Sequence, residues 1–336
     1  MIDLSARYLG LRLRNPLVAS ASPLAGTVDG VRRLAGAGVA AVVLPSLFEE
    51  ELRRQAARDA ALAEAGTESF AESLSYFPAE AFAEPGPRQY LSLVERAAAA
   101  VDIPVIASLN GVTAGGWTDY ASALEQAGAA AIELNIYHLP ADPLTSVRDV
   151  EQRHVDVLTT VKAVVSVPVV VKLSPYFSSV GEVAVRLDRA GADGLVLFNR
   201  FLQPDIDPES VTVTAGFGLS SPAEGRLARA WIALLAGRVR ASLAASTGVE
   251  DAADVAAYLL AGADVVMTTS ALLRHGPGHA TALLGGLTAW MARKGFGTVD
   301  DVRGRLAVPA DHGEAARERA SYVSALREAD RGGGPW

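Results

Sequence analysis

The chain has 336 residues, half of them apolar, with a net charge of −8 spread along its length. That is enough apolar material for one large core, and the acidic balance argues against a nucleic-acid partner, which would want a basic stripe. Cysteine is absent, which excludes disulfides, thiolate metal sites, a catalytic cysteine and any iron–sulfur cluster held by this chain.

Residues 1–10 lack the basic start and apolar run of a signal peptide, and no apolar stretch reaches the ~18 residues of a membrane-spanning helix. The expectation is a cytoplasmic protein with no membrane contact. Eight short apolar runs then follow in chain order. The first is 16–20. The second, 39–44, follows the turn Gly36-Ala37-Gly38 and ends near Ser46. The third is 104–109 and ends at Asn110. The fourth, 130–134, follows Ala127-Gly128-Ala129 and ends at Asn135. The fifth is 168–173 and contains Lys172. The sixth, 195–198, follows Ala190-Gly191-Ala192 and ends at Asn199. The seventh is 241–245; the eighth, 265–267, follows Ala261-Gly262-Ala263 and ends at 268–270.

Continuous apolar runs of this length read as strands buried on both faces, and a small-residue turn closes each preceding helix. Helical patterns at 120–126, 155–165, 180–189 and 251–260 lie between them. Eight strands alternating with helices predict a parallel sheet closed into a (β/α)8 TIM barrel, with right-handed crossovers. An open doubly wound sheet is disfavoured, because Ser20-Ala21-Ser22-Pro23, not a Gly-x-Gly-x-x-Gly turn, follows the first run. Two insertions, 47–102 after the second strand and 200–240 after the sixth, are expected to form lids or pocket walls, or a dimer surface. Residues 1–317 form the single domain in this reading, and 318–336 a tail that frays around Arg331-Gly332-Gly333-Gly334.

Barrel chemistry sits at the carboxyl ends of the strands. Three of the four asparagines, Asn110, Asn135 and Asn199, fall there, and an amide offers donor and acceptor side by side for a flat heterocycle. Asparagine also ends strands simply as a turn former. Lys172 shares a strand face with Val170. Buried, it needs a negative partner or a depressed pKa. It fits the electron-rich end of a flavin, a Schiff-base lysine of an aldolase, or a structural ion pair with Glu133. Ser246-Thr247-Gly248, before a helix beginning near Glu250, together with Thr268-Thr269-Ser270, reads as a phosphate cradle. Tyr137 and His138 follow Asn135, and histidine exchanges protons near neutral pH. His275 and His279 read as structural. No metal-ligand spacing is present.

At these residues the chain resembles the soluble, class 1 dihydroorotate dehydrogenases, which are FMN-dependent barrels. The resemblance is carried by Tyr8-Leu9-Gly10-Leu11, Asn15-Pro16-Leu17, Glu133-Leu134-Asn135 and Val171-Lys172-Leu173-Ser174-Pro175-Tyr176-Phe177. It continues through Gly216-Phe217-Gly218, Ser246-Thr247-Gly248-Val249 and Lys294-Gly295-Phe296. It implies FMN as cofactor, oxidation of a CH–CH bond as in pyrimidine biosynthesis, and a homodimer. Lys172 would meet the flavin near N1 and the C2 carbonyl, and Ser20 and Ala21 would lie along the ring. Gly248, Thr269 and Ser270 would hold the phosphate, and Asn135 and Asn199 would hold substrate and touch the flavin. Ser46, Asn110, Ser246 and Thr247 complete the expected cofactor set.

The departures concern the substrate. Where the family has a flavin-touching lysine, this chain has Pro45; the base cysteine is His138; a substrate asparagine is Pro140; and 47–102 contains no asparagine. Arg200 follows Asn199 where a small hydroxyl is usual, and would meet a substrate carboxylate or pair with Asp205 or Asp207. The resemblance therefore implies a small cyclic or acidic substrate that need not be dihydroorotate, with His138 or Tyr137 removing the proton. Two rivals stand beside it: a Schiff-base lyase using Lys172, and a flavin-carrying subunit that works with an electron-transfer partner holding any iron–sulfur cluster.

Overall fold

The chain opens on a hairpin, β1 (Ala6–Tyr8) and β2 (Leu11–Leu13). It then lays down β3 (Leu17–Ala19), β4 (Ala41–Phe48), β5 (Val105–Asn110), β6 (Ala131–Asn135), β7 (Val169–Lys172) and β8 (Gly194–Leu197). A second antiparallel hairpin, β9 (Asp205–Asp207) and β10 (Thr212–Thr214), precedes β11 (Ser242–Ala245) and β12 (Val265–Thr268). Strands β3 to β8, β11 and β12 are parallel and close in sequence order into an eight-stranded barrel. The (β/α)8 expectation is met. The computed structural model describes residues 2–54, 86–112, 117–140, 142–214, 216, 218–309, 319–320 and 322–327.

Helices follow the strands: α1 (Val28–Gly36), α2 (Pro87–Ala100), α3 (Trp117–Gln126), α4 (Val147–Lys162), α5 (Val180–Arg189), α6 (Gly225–Leu235) and α7 (Ala252–Ala261). After β12 come α8 (Ser270–His275) and α9 (His279–Lys294). The outward residues of the strands and the inner faces of these helices form one continuous core. Each fully buried leucine or valine there contributes about 1.5–3 kcal/mol.

The inward residues form a second, smaller core. Val18, Val43, Ile106, Val170, Val196, Ala244 and Met267 pack inside the barrel against Tyr8, Leu9 and Leu13 of the first hairpin. The hairpin turns on Leu9 and Gly10, both left-handed at φ +53° and +77°, as a two-residue hairpin loop with matched twist requires. Its tip fills the floor. A Cβ on Gly194 would come 2.5 Å from Leu9 Cδ2, so the missing side chain makes room for the plug.

The two insertions differ. β4 runs on through Pro45 with a register shift between Val43 and Ser46, the irregularity a proline imposes on a ladder. A helical turn begins at 49–54, and α2 is an ordinary barrel helix; 55–85 lie outside the described residues. The 200–240 segment holds the β9–β10 hairpin and α6, and its residues 218–220 reach the cavity described below. In the tail, 322–327 are helical, and Arg331-Gly332-Gly333-Gly334 lies outside the described residues. Among the described residues no helix is long and apolar enough to cross a membrane.

Candidate active site at the mouth of the barrel

The alternation that buries valines on the floor delivers polar groups one step higher. β6 places Glu133 level with Val170, and Asn135 level with Lys172. Glu133 is completely buried, and Lys172 is 8% exposed. The ammonium lies 3.6 Å from Glu133 Oε1, longer than the 2.7–2.9 Å of a charge-assisted hydrogen bond. Neither Glu133 oxygen has a hydrogen-bond partner among the described residues. The ion pair that was one reading of Lys172 is therefore present, yet Lys172 also lines a cavity of about 350 Å³ at the mouth. Asn199, just past β8, donates Nδ2–H to Asn135 Oδ1 at 2.7 Å, which fixes both amides.

Much of the remaining lining of the same cavity is hydroxyls and turn amides. Ser20, Ala21, Ser246, Thr247, Gly248, Thr269 and Ser270 all line it. Thr247 and Gly248 are consecutive left-handed residues, φ +78° and +69°. Such a backbone is costly for a β-branched residue, and here Thr247 Oγ1 donates to the Phe198 carbonyl at 3.1 Å. Any side chain at Gly248 would strike the Gly225 amide at 2.6 Å. Beneath the turn, the buried Tyr258 hydroxyl lies 2.6 Å from the Thr247 carbonyl and 3.2 Å from those of Ser246 and Gly225. Thr269 Oγ1 donates to the Ser20 carbonyl at 3.1 Å, joining the loops after β12 and β3.

One site residue escaped the sequence reading. Ser220, from the 200–240 segment, accepts from the Gly248 amide at 3.3 Å and donates to Ser270 Oγ at 2.9 Å, while its own amide donates to Ser270 Oγ at 3.0 Å. Its only sequence signal was the hydroxyl pair Ser220-Ser221 after Gly218. The helix start near Glu250 is otherwise occupied. α7 begins at Ala252, and the Asp251 carboxylate accepts from the Ala253 and Asp254 amides. The groups of this wall that could hold an anion are therefore the loop amides and hydroxyls.

The remaining predicted residues fall outside this cavity or are engaged elsewhere. Ser46 and Ser108 share a hydrogen bond of 2.8 Å, and Asn110 stands level with Asn135 across β5 and β6; neither Ser46 nor Asn110 lines the cavity. Tyr137 stacks on Phe201 at 4.3 Å, and its hydroxyl accepts the Leu202 amide at 2.8 Å. His138 turns towards α4. Its Nδ1 is 3.4 Å from Arg153 Nη1, and its buried Nε2 has no partner among the described residues. Burial, then the Arg153 charge, holds its pKa below the ordinary histidine value. His154 behind it is pushed down to about 4 by burial, against the pull of the Val150 carbonyl. Arg200 lines the cavity but pairs with neither Asp205 nor Asp207. Glu224 takes its Nε and Nη2 at 3.0 Å, and the Gly218 carbonyl takes a third N–H at 2.5 Å. The capping box at Ser221 brings Glu224 closer than either aspartate. His275 and His279 both contact Glu250, through its carboxylate and its carbonyl. Among the described residues no group of three metal-ligating side chains is present.

A closed parallel barrel whose strand ends bring a buried lysine, the Asn199 amide and a hydroxyl-lined turn to one cavity defines an α/β-barrel enzyme. The dihydroorotate dehydrogenase family profile matches residues 64–291; the chain belongs to that family and is an oxidoreductase of that type. It is 28% identical over 307 residues to the catalytic subunit of dihydroorotate dehydrogenase B (NAD(+)) from Methanothermobacter thermautotrophicus, covering 90% of this chain and 97% of that one. An Aeropyrum pernix protein with the assigned name dihydroorotate dehydrogenase A (fumarate) gives the same identity and coverage. The Halalkalibacterium halodurans catalytic subunit of dihydroorotate dehydrogenase B (NAD(+)) is 34% identical over 179 residues, 51% of this chain and 58% of that one.

Proposed function

We propose that the chain is an FMN-dependent dehydrogenase acting on a CH–CH bond, with the flavin ring against Lys172 and the phosphate on the loops after β11 and β12. The observation that carries this reading is one cavity lined both by a buried ammonium and by a hydroxyl-and-amide turn. The residues fit the group. Gly248 leaves a backbone cradle that a Cβ would fill, and among the described residues the charge facing the completely buried Glu133 carboxylate at ion-pair distance is Lys172.

Bound there, FMN would supply a two-electron acceptor for hydride. Lys172, 8% exposed, would present a preorganised positive charge to the ring, and such charge is worth more where water is excluded. Glu133 keeps that ammonium in place. Ser20 and Ala21 border the ring, while Ser220, Ser246, Thr247, Gly248, Thr269 and Ser270 receive the phosphate. Asn135 and Asn199 hold substrate through their paired amides, and Ser46 and Asn110 close the mouth on the β4–β5 side. Arg200 fixes the 218–224 loop over the cavity through Glu224. His138 is the candidate base, since burial favours its neutral ring and its Nε2 has no partner among the described residues. The role requires the loop after β6 to bring Nε2 across to the substrate. Tyr137 holds the neighbouring loop through Leu202. Family membership favours oxidoreduction over a Schiff-base lyase.

The visible absorption spectrum of purified protein, followed by anaerobic titration with dihydroorotate, tests this. Flavin bands that bleach on addition support both cofactor and substrate; flavin bands that do not bleach keep the cofactor and remove dihydroorotate. A colourless protein that refuses FMN removes the reading. His138→Ala, assayed on a confirmed substrate, should lose turnover, and unchanged turnover would take His138 out of the mechanism. The cofactor's electrons need an outlet, and a cysteine-free chain would rely on a partner protein for any cluster. We further propose a homodimer, which light scattering on the purified chain checks.

A further inference from the structure

Among the hydroxyls of the cofactor cavity, one has its direction already decided. A serine hydroxyl has two lone pairs and one proton. Ser270 Oγ accepts from the Ser220 amide at 3.0 Å and from the Ser220 hydroxyl at 2.9 Å. Both lone pairs are filled by one residue, so what Ser270 offers the cavity it lines is its proton. Ser220 Oγ is occupied in turn, because it accepts the Gly248 amide at 3.3 Å. Its part in receiving a phosphate is therefore to set Ser270.

Ser220 is itself held from behind the cavity, by a residue that does not line it. Arg274 Nη2 donates to the Ser220 carbonyl at 3.2 Å, across 54 positions of the chain, and Nη1 pairs with the Glu250 carboxylate. Glu250, in the loop after β11, is gripped twice more. His275 Nε2 lies 2.7 Å from its other carboxylate oxygen, and His279 Nε2 donates to its carbonyl at 2.8 Å. Burial works against the charge on Glu250, yet His275 and Arg274 outweigh it and hold the pKa below the usual carboxylate range. The guanidinium fork thus spans an anionic anchor and the Ser220 carbonyl at once, which the single nitrogen of a lysine does not reproduce. On the other side Arg200 Nη1 takes the Gly218 carbonyl, so two arginines clasp 218–220 between them. The clasped segment lies directly against the turn: a Cβ on Gly248 would come 2.9 Å from the Ser221 carbonyl oxygen.

We propose that Arg274 is a positioning residue for a phosphomonoester: by fixing the Ser220 carbonyl it makes the Ser270 hydroxyl an obligate donor to a phosphate oxygen. This rests on the cofactor reading above and adds to it a residue outside the cavity. A donor-only hydroxyl favours an anionic oxygen over a neutral one, since charge-assisted hydrogen bonds are roughly twice as strong. Arg274 therefore acts on the preference for FMN over riboflavin and not on the ring.

Flavin affinities of the full chain and its variants, each measured with FMN and with riboflavin, test it. Arg274→Gln should weaken FMN about tenfold, the factor for a hydrogen bond to a charged group, and leave riboflavin unchanged. Arg274→Lys keeps the charge without the two-pronged grip and should fall close to Arg274→Gln. Ser270→Ala should cost the same factor, and adding Arg274→Gln to it should cost nothing more, because residues that act through one contact are not additive. Several results would overturn the inference: an unchanged FMN preference in Arg274→Gln, a wild-type preference in Arg274→Lys, additive losses in the double variant, or equal losses of FMN and riboflavin. The third would make Arg274 a distant charge and the fourth a support of the fold. A wild-type chain that binds neither flavin removes the cofactor reading and this inference with it, whereas FMN preference in the wild type that survives every Arg274 variant strikes this inference alone.

Discussion

The two ends of the barrel are built from the same eight strands and differ only in what the inward positions carry. At the closed end Val18, Val170, Val196, Ala244 and Met267 receive the Tyr8–Leu9 plug and form a dry core. Glu133 stands level with Val170, and one alternation step higher come Asn135 and Lys172, with a Glu133–Lys172 ion pair of 3.6 Å and an Asn135–Asn199 amide pair of 2.7 Å. Polar groups at the closed end weaken the molecule unless they are satisfied. Those at the open end are held by one another, and Lys172 and Asn199 line the cavity. The contrast teaches that the floor is selected for packing and the mouth for chemistry, and substitutions at the two ends should differ in kind.

The largest effect is expected at the mouth. Lys172→Met should lower turnover by about 10²–10³-fold, the range for removing a preorganised electrostatic group, with a smaller change in thermal stability. Steady-state kinetics beside a melting curve separates the two. Glu133→Ala leaves the Lys172 charge without its buried partner and should reduce stability by about 3–5 kcal/mol, read from urea unfolding. A loss under 1 kcal/mol would mean that water, not Glu133, satisfies Lys172.

Behind the mouth, His154 folds with a pKa of about 4 against an ordinary 6.5. The unfolded chain therefore binds more protons between those values, so stability rises with pH across that window and falls as acid is added. The full difference is on the order of 3 kcal/mol, and His154→Gln should flatten it in unfolding curves taken between pH 4 and 7. The smallest effect has the opposite sign and belongs to the floor. The Tyr8 hydroxyl is buried without a partner among the described residues, so Tyr8→Phe should stabilise by about 1 kcal/mol and leave turnover unchanged. A destabilised Tyr8→Phe would show that the plug carries a polar contact and would erase the contrast between the ends.

The barrel was legible in the sequence because its strands are buried on both faces, and continuous apolar runs between small-residue turns have few other meanings. The hairpins were not. β1, β2, β9 and β10 are three residues each, too short for a period to show, and the exposed Arg7 sits between the buried Ala6 and Tyr8. α4 begins at Val147, eight residues before the predicted stretch at 155, because its first turns are polar. Lys172 could be placed by strand alternation alone. Ser220 could not, since it reaches the cavity from a long connection whose path is set by packing against the Thr247–Gly248 turn. The partner of Arg200 was missed for the same reason. Asp205 and Asp207 are near in sequence, and Glu224 is near in space.

The central claim is that a flavin phosphate rests on the loops after β11 and β12 while its ring meets Lys172. Parallel titrations of the flavin-free chain with FMN and with riboflavin, followed by quenching of flavin fluorescence, test it most directly. The account predicts that both ligands quench and that FMN binds about a hundredfold more tightly, through charge-assisted hydrogen bonds that riboflavin lacks. Equal affinity for the two, or no quenching by either, would contradict it.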